Sequence, residues 1–256
     1  MENLLKLSWL LKAPLTFPLF LRMTKITFNL LEPSTKDVIC DVGCGRGERI
    51  SLLSNHIEKV VGMDIAQPVM EFLEQNRKSA NVSFHTVDAT AEPPPEFTGT
   101  FNKCLCMDLI EHVDNPELVF SFLRKLIRPD GLALIGIPIN SAAHGRHLFN
   151  TEDVFNLADN LGTETKVVLF RRNMWGRLVD DHVYAKIRQI IKPRREGDYC
   201  HEGVGFEMMA KPKKIYFLFK LAIVFLYLIS QNSYHETYRG DEAADRAFIL
   251  AKRSVD

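Results

Sequence analysis

The sequence predicts an α/β fold built on a mostly parallel sheet. Short apolar segments typical of strands alternate with helix-like segments from residue 38 to residue 170, which is typical of a doubly wound sheet. The first strand runs directly into a turn that contains Gly43, Gly45 and Gly47. A chain of 256 residues with 46% hydrophobic content is long enough to bury the core that such a sheet requires.

The predicted elements follow one another in a regular order. Each strand rests on an apolar run, and each helix on apolar spacing with a recognisable start or stop. Strands are predicted at 38–42, 59–65, 81–88, 101–107, 132–138, 165–170 and 247–252, and helices at 48–55, 68–78, 117–127 and 151–160. The last two strands are separated by some seventy residues, from 172 to 246, so we expect an insertion there.

Local signals support the helix boundaries. Pro68 occupies a first-turn position where proline is tolerated, and Pro129 with Gly131 stops the helix predicted at 117–127. The helix at 151–160 follows a capping-type sequence that begins at Asn150 and is closed by Gly162. We therefore expect the fifth strand to begin after the Pro–Gly break.

The glycine turn is the first sign of a ligand site. Glycines let a backbone turn tightly and approach a ligand where a Cβ would collide, and the helix that follows points its free amides at the same place. Any tight strand-to-helix turn can use such glycines, so the turn alone is weak evidence for a nucleotide-type cofactor.

Acidic residues at successive strand ends strengthen the cofactor interpretation. Asp64 lies 21 residues after Gly43, where an acid can accept the two hydroxyls of a ribose. Asp88 ends the third strand and is placed to accept an adenine amine. The Gly-x-Gly-x-Gly spacing, with Asp41 and Glu48 on either side, disfavours a pyrophosphate but tolerates the cationic groups of S-adenosylmethionine.

On these motifs the chain resembles the class I S-adenosylmethionine-dependent methyltransferases. The resembling segments are Asp41-Val-Gly-Cys-Gly-Arg-Gly47, Gly62-Met-Asp64, Val87-Asp-Ala89, Cys106-Met-Asp-Leu-Ile-Glu-His-Val113 and 128–138. The resemblance covers about residues 36–170 and the final strand, and it is greatest to the subgroup containing the ubiquinone-biosynthesis O-methyltransferases.

The resemblance implies a Rossmann-like, seven-stranded sheet whose last strand is antiparallel, and S-adenosylmethionine as the cofactor. The predicted cofactor-binding residues are Asp41, Gly43, Gly45, Gly47, Asp64, Ile65, Asp88, Ala89 and Met107. We expect four regions: an amphipathic helical segment at 1–35, the methyltransferase core at 36–171, a basic and hydrophobic insertion at 172–245, and the final strand and tail at 246–256.

Methyl transfer requires a base near the end of the fourth strand. The reaction is an in-line displacement, in which the protein aligns the acceptor and removes its proton. Glu111 and His112 follow the fourth strand, and His144 and His147 follow the fifth, which opens at the same sheet edge. We name His144, His147 and His112 as candidate catalytic bases because the pKa of histidine lies near neutrality.

Structural roles for these residues stay open. His112 can cap or orient the following helix, and Glu111 can hold Arg146 or another loop cation. The alternative from a different functional class is a non-catalytic protein that binds the cofactor or its demethylated product and holds a partner through the insertion.

The cysteines indicate a reducing compartment and no metal site. Five cysteines form no disulfide framework, and four of them lie on or beside apolar strands. Cys104 and Cys106 are too close and too strand-like for a tetrahedral metal site, and Cys40 with Cys44 lacks a completing pair. We predict a cytoplasmic protein without a metal, in which these four cysteines are structural.

The insertion carries the most hydrophobic segment of the chain. Residues 215–230 hold fourteen apolar residues out of sixteen, and residues 171–220 hold twelve Lys or Arg against six Asp or Glu. As a helix, 215–230 would be about 24 Å long, shorter than the roughly 30 Å hydrocarbon core of a bilayer. A single crossing would also separate the last strand from its sheet. We expect an interfacial helix that contacts the inner face of a membrane through 211–232.

The amino-terminal residues form a second amphipathic segment, in addition to the predicted interfacial helix. Leu4, Leu5, Trp9 and Leu10 are interleaved with basic residues, and two prolines make a signal peptide less expected. Two amphipathic segments around one active site suit a hydrophobic or lipid-linked acceptor. The alternatives are a soluble small molecule or sugar with the insertion as a lid, a buried helix covering the sheet, and a dimer contact. We predict no nucleic-acid partner and no obligate protein partner.

Overall fold

The computed structural model describes residues 18–139, 147–159, 164–179, 182, 225–228 and 232–253. Its strands are β1 Val38–Val42, β2 Lys59–Asp64, β3 Val82–Thr86, β4 Phe101–Met107, β5 Ile127–Pro138, β6 Glu164–Arg172, β7 Tyr234–Thr237 and β8 Arg246–Lys252. Its helices are α1 Pro18–Leu31, α2 Glu48–Leu53, α3 Gln67–Gln75, α4 Pro116–Leu126, α5 Thr151–Asp159 and α6 Met174–Arg177.

The strands form one sheet in the order β3-β2-β1-β4-β5-β8-β6-β7. Strands β3, β2, β1, β4 and β5 are parallel to one another, and β8 runs antiparallel to both β5 and β6. The strand order reverses between β1 and β4, which is where ligands bind in open α/β sheets. The predicted Rossmann-like, mostly parallel sheet with an antiparallel last strand is therefore confirmed.

The described part of the chain contains eight strands where seven were predicted. The additional strand, β7, has the sequence Tyr234-His-Glu-Thr237 and lies at the edge of the sheet, with both central residues exposed. Such a short polar edge strand carries no apolar run, because its residues pack against little of the core. The sequence pattern therefore gave no reason to separate it from the insertion.

Strand β5 begins earlier than the sequence predicts. In its pairing with β4, Phe101 lies opposite Ile127 and Lys103 lies opposite Leu132. The residues between Ile127 and Leu132 therefore form an irregular, largely exposed bulge within the strand. Asp130 in this bulge has a φ of 62°. The Pro–Gly break does stop α4, but the chain returns to pairing directly and leaves no separate loop.

The core lies around the central parallel strands. The side chains of Cys40, Val61, Cys104 and Ile249 are fully buried, as expected for strands covered on both faces. Cys40, Cys44, Cys104 and Cys106 are all buried free thiols. Cys200 falls outside the described residues.

The chain divides into two compact units. The core unit comprises residues 27–171 and 236–256, and the second unit comprises residues 1–26 and 172–235. The boundary falls within α1, between residues 26 and 27. None of the helices in the described ranges is both long enough and apolar enough to cross a membrane. Most of the predicted interfacial segment, 211–232, lies outside those ranges.

Candidate functional site

The glycine turn is fixed to the end of β2. Gly43, Gly45 and Gly47 have φ values of 74°, 53° and 69°, in the left-handed region that favours glycine. The amides of Gly43 and Cys44 donate to the carbonyl of Met63 at 2.8 and 3.0 Å. The amide of Gly45 donates to Oδ2 of Asp64 at 2.9 Å. The end of β2 therefore contributes three hydrogen bonds that stabilise the turn.

The three glycines have different spatial requirements. A Cβ built on Gly43 would lie 3.1 Å from Cδ2 of Leu109, and one on Gly47 would lie 3.0 Å from Cε1 of Phe84. Among the described residues, no atom lies within 4 Å of a Cβ built on Gly45. Two glycines thus let protein groups pack closely, whereas Gly45 leaves space on the exposed side of the turn.

Asp41, beside the turn, carries a buried carboxylate. Its residue is 1% exposed, and neither side-chain oxygen has a hydrogen-bond partner among the described residues. Burial raises its pKa to about 6, and the charges of Asp64, Glu48 and Asp108 add to the rise while Arg49 opposes it. An unsatisfied buried carboxylate is costly in the free protein and favours a ligand that brings hydrogen-bond donors or positive charge.

The acids that end the next strands are held by local hydrogen bonds. Besides Gly45, Asp64 accepts the amide of Ala66 through Oδ1 at 3.0 Å. Asp88 accepts the amide and the hydroxyl of Thr90 through Oδ1 at 2.8 and 2.7 Å. The hydroxyl and amide of Thr90 lower the pKa of Asp88. Both carboxylates are thus oriented at the same sheet edge as the glycine turn.

Ile65, Ala89 and Met107 surround this edge in different ways. Ile65 is 68% exposed directly after β2, an unusual position for a large apolar side chain, and Ala89 is partly buried after β3. Met107 is buried at the end of β4, where the Thr27 hydroxyl is 3.9 Å from its Sδ. An exposed apolar side chain at a strand end can cover the face of a planar ligand.

The residues at the edge fit the cofactor predicted from the sequence. Asp41 supplies an unsatisfied buried carboxylate, Gly45 leaves open space, and Asp64 and Asp88 are exposed or half-buried acceptors. Glu48 is paired with Arg46 at 2.6 Å, so the acidity that disfavours a pyrophosphate rests mainly on Asp41 and Asp64. The assignment of individual cofactor contacts stays a prediction.

Two of the three candidate bases lie in the described part of the chain. His112 is half-buried, with Nε2 3.9 Å from Oε1 of Glu111. The amide of His147 donates to the carbonyl of Glu111 at 3.2 Å, and Nε2 of His147 is buried without a hydrogen-bond partner among the described residues. His144 and Arg146 lie outside the described residues. The segments after β4 and β5 are thus neighbours, as the sheet order requires.

Glu111 lies in an environment that favours the protonated form of its carboxyl group. Its side chain is buried, and Oε2 has no hydrogen-bond partner within the described ranges. Burial raises its pKa to about 7, and the charge of Asp108 contributes to the rise. The sequence placed Glu111 near the base without predicting this burial.

Sequence reasoning missed an ionic group at the same edge. Asp108, directly after β4, is bonded to Arg246 of β8 through Oδ1, and Nη2 of Arg49 in α2 lies 3.5 Å from its Oδ2. Burial alone would raise the pKa of Asp108, but the charges of Arg246 and Arg49 outweigh it and hold this pKa below its usual value. Arg246 is 138 positions from Asp108, so no local pattern could have paired them.

The fold and the site together define a Rossmann-like domain with a glycine turn and acidic strand ends of the methyltransferase type. Residues 40–135 match the family model described as a methyltransferase domain. The resemblance to class I methyltransferases predicted from the sequence is therefore confirmed for this part of the chain, which includes the glycine turn and strands β2 to β4.

The curated relatives named ubiquinone biosynthesis O-methyltransferase match only part of the chain. The protein from Colwellia psychrerythraea is 33% identical over 95 residues, which are 37% of this chain and 39% of that protein. The protein from Coxiella burnetii is 28% identical over 120 residues, covering 46% of this chain and 51% of that protein. The matched part thus spans about half the length of these relatives or less.

Solved structures share the fold over most of the chain. The [4+2]-cyclase SpnF superimposes with a TM-score of 0.56 at 14% identity, covering 92% of this chain and 82% of that chain. Phosphoethanolamine N-methyltransferase 2 of Haemonchus contortus, in complex with S-adenosyl-L-methionine, gives 0.55 at 15% identity, with coverages of 91% and 52%. At such identities the likeness shows the fold alone, and one of the two is named for a different reaction.

Proposed function

We propose that the protein is an S-adenosylmethionine-dependent methyltransferase that methylates an oxygen of a hydrophobic or lipid-linked acceptor at a membrane surface. The observation that carries the cofactor part is the buried carboxylate of Asp41, which has no hydrogen-bond partner among the described residues and lies four positions before Gly45. The match of residues 40–135 to the methyltransferase domain supports the same cofactor.

The cofactor would lie along the carboxyl edge of β1 to β4. Asp41 would face its positive groups, Asp64 its ribose hydroxyls, and Asp88 with Ile65 its adenine, while Gly43, Gly45 and Gly47 allow close backbone approach. When bound, S-adenosylmethionine supplies an electrophilic methyl group. The protein's own contribution is to align the acceptor, exclude water and remove the acceptor proton.

The segments after β4 and β5 are proposed to provide the base. His112 and His147 both lie next to Glu111, which is buried with a pKa raised to about 7. A carboxyl with this pKa can exchange a proton near neutrality and can also set the protonation state of a neighbouring imidazole. His144 belongs to the same segment as His147 and remains a candidate on its sequence position.

Support for a hydrophobic acceptor comes from the second unit and from the curated relatives. Met174 and Trp175 on α6 are 77% and 60% exposed, although both are large apolar side chains. Phe225 and Leu228 are also exposed, and both belong to the predicted interfacial segment 211–232. Exposed apolar side chains near basic residues are typical of surfaces that bind membranes. The name ubiquinone biosynthesis O-methyltransferase supports an acceptor of the same hydrophobic kind.

We propose a cytoplasmic location at the inner face of a membrane. The buried free thiols of Cys40, Cys44, Cys104 and Cys106 support a reducing compartment. A soluble small molecule or sugar is the second candidate acceptor, with the insertion serving as a lid. A protein that binds the cofactor without transferring its methyl group is the third, since the shared fold also occurs in a protein named as a cyclase.

Labelling with methyl-labelled S-adenosylmethionine tests the reaction and the acceptor class. The purified protein is incubated with the labelled cofactor and either a lipid extract or an aqueous extract of its source. Label in the lipid extract supports the proposal, and label in the aqueous extract supports the second candidate. Cofactor binding measured by calorimetry without label transfer in either extract would support the third.

Flotation with anionic liposomes tests the membrane surface. The full chain and a version lacking 211–232 are compared, and we expect the full chain to float and the shortened one to remain in the lower fraction. If both remain in the lower fraction, the membrane part of the proposal is wrong. Flotation of both would place the membrane contact elsewhere in the chain.

A further inference from the structure

Strand β8, the last strand in the chain, is antiparallel to β5. It therefore begins at the sheet edge that carries the glycine turn and the acidic strand ends. Strand β8 pairs with β5 so that Arg246 lies opposite Pro138, at the carboxyl end of β5. Its guanidinium donates to Oδ1 of Asp108, at the carboxyl end of the neighbouring strand β4. A residue outside the matched methyltransferase region, 40–135, thus reaches the end of β4.

Asp108 has a backbone conformation that is rare outside glycine. Its φ is 58°, and its amide donates to the carbonyl of Gly136 at 3.1 Å. The left-handed region is disfavoured for a residue with a Cβ, although aspartate is among the residues that tolerate it, so contacts that favour this conformation stabilise the turn. Arg246 and Arg49 act on the two carboxylate oxygens from β8 and α2. The side-chain clamp and the backbone bond together stabilise the turn.

The turn at Asp108 determines where Leu109 lies. The side chain of Leu109 packs directly against Gly43, within 3.1–3.2 Å of a Cβ built there. On the other side of Asp108, the end of the Met107 side chain fills the space beside Gly136. The conformation of one residue therefore sets the contacts of its two neighbours with the glycine turn and with β5.

We propose that Arg246 is a positioning residue for the cofactor site. Through Asp108 it holds the left-handed turn that seats Leu109 against Gly43, and so it fixes the glycine turn in its binding conformation. This role rests on the proposed function, because it presupposes that the glycine turn binds S-adenosylmethionine. Arg246 itself is not assigned a contact with the cofactor or with the acceptor.

Calorimetric titration with S-adenosylhomocysteine, the demethylated product, tests the role without an acceptor. We expect Arg246→Ala to raise the Kd by about tenfold, a typical coupling between linked sites, and Arg246→Lys to recover part of the loss. The matched control is Arg253→Ala, just beyond the other end of β8, where the guanidinium donates to the carbonyls of Ile127 and Arg124 at 2.6 and 3.2 Å. This variant should lower the Tm and leave the Kd unchanged.

A second pair of variants separates positioning from stability. Asp108→Ala removes the carboxylate through which Arg246 acts and disfavours the left-handed turn, so it should raise the Kd by about the same factor as Arg246→Ala. Adding Arg246→Ala to Asp108→Ala should then have no further effect on the Kd. If Arg246→Ala alone fails to fold, Asp108→Ala and Arg246→Lys carry the test, and a wild-type Kd in Asp108→Ala would show that the positioning role is wrong.

The outcomes distinguish this inference from the proposed function. If the wild-type protein binds neither S-adenosylmethionine nor S-adenosylhomocysteine, the proposed function fails first. If the wild type binds and Arg246→Ala binds equally well, the proposed function stands and the positioning role is wrong. An equal rise in Kd for Arg246→Ala and Arg253→Ala would show that Arg246 acts only by stabilising the fold and does not position the cofactor site.

Discussion

The amide of Gly45 donates a 2.9 Å hydrogen bond to Oδ2 of Asp64 and thereby ties the glycine turn after β1 to the end of β2. Oδ1 of the same carboxylate accepts the amide of Ala66. The acid expected to bind ribose hydroxyls therefore also holds the turn beneath the cofactor. Its two oxygens each have a second lone pair, so both roles are compatible.

Asp64→Ala should weaken S-adenosylhomocysteine binding more than Asp64→Asn. Alanine removes the acceptors of Gly45 and Ala66, whereas asparagine keeps one of them, so we expect affinity losses of about 100-fold and about tenfold. Calorimetry gives the Kd values. Asp37→Asn, at the amino end of β1 where the carboxylate is paired with Lys103 at 2.8 Å, is the matched control. It should lower the Tm without changing the Kd, and a similar Kd loss in all three variants would contradict the prediction.

Gly43→Ala should disturb the cofactor site, unlike the same change at Gly99. Both glycines have positive φ, 74° and 66°, so each alanine costs about 1–2 kcal/mol of backbone strain. Only the Cβ on Gly43 would press on Leu109, since no atom of the described residues lies within 4 Å of a Cβ on Gly99. We expect a larger drop in Tm for Gly43→Ala, where the contact with Leu109 adds to the backbone strain, and a loss of S-adenosylhomocysteine affinity for this variant alone. Unchanged affinity there would show that the turn tolerates displacement.

Asp41→Asn should stabilise the ligand-free protein above about pH 6. Because the folded-state pKa of Asp41 is raised from 3.8 to about 6, the folded protein retains a proton that the unfolded chain releases. Stability from this group is therefore lost as the pH rises from about 4 to about 6, by about 3 kcal/mol at about 1.4 kcal/mol per pKa unit.

Thermal unfolding across pH 4 to 8 measures this effect. We expect a higher Tm for Asp41→Asn than for the wild type at pH 7, with the difference disappearing near pH 4, together with weaker cofactor binding. Asp130→Asn, which exchanges an exposed acid at a φ of 62° that asparagine tolerates, is the matched surface control. A lower Tm for Asp41→Asn at pH 7 would mean that the carboxylate has a stabilising partner.

Replacing the true base should lower turnover and spare cofactor binding. His112→Ala, His144→Ala, His147→Ala and Glu111→Gln are compared by kcat and by the Kd for S-adenosylhomocysteine. We expect a fall in kcat of about 10² to 10⁴ in the variant that lacks the base. Glu111→Gln should also shift the pH dependence of kcat, because Glu111 has a pKa of about 7. Equal turnover in the three histidine variants would end the histidine proposal.

Polar substitution on α6 should weaken membrane binding. Trp175→Ser and Met174→Ser remove exposed apolar side chains of the second unit, and we expect each to lower the fraction of protein that floats with anionic liposomes. Tyr238→Ser removes a side chain that is also well exposed but belongs to the core unit, and it should leave flotation unchanged. Equal flotation of all three variants would exclude α6 from the membrane contact.

Much of the fold could be predicted because its signals are local. The apolar runs of β1, β2 and β4 match the structure to within one residue, since a buried parallel strand requires continuous apolar sequence. The glycine turn could be predicted for the same reason, because its conformation depends on three glycines within five positions. The positions of Asp64 and Asp88 at one sheet edge could also be predicted, because parallel strands end at the same edge of a sheet.

The tertiary structure decided what depends on residues far apart in the chain. It placed Arg246 against Asp108, buried Glu111, left Asp41 without a hydrogen-bond partner in the described part of the chain and added β7 to the sheet edge. Ionic pairing, desolvation and close packing arise only when separate elements meet, and no residue type or spacing encodes them locally. The sequence by itself therefore determined the class of domain and the position of its cofactor turn. The packed sheet decided the charges and contacts that hold this turn in place.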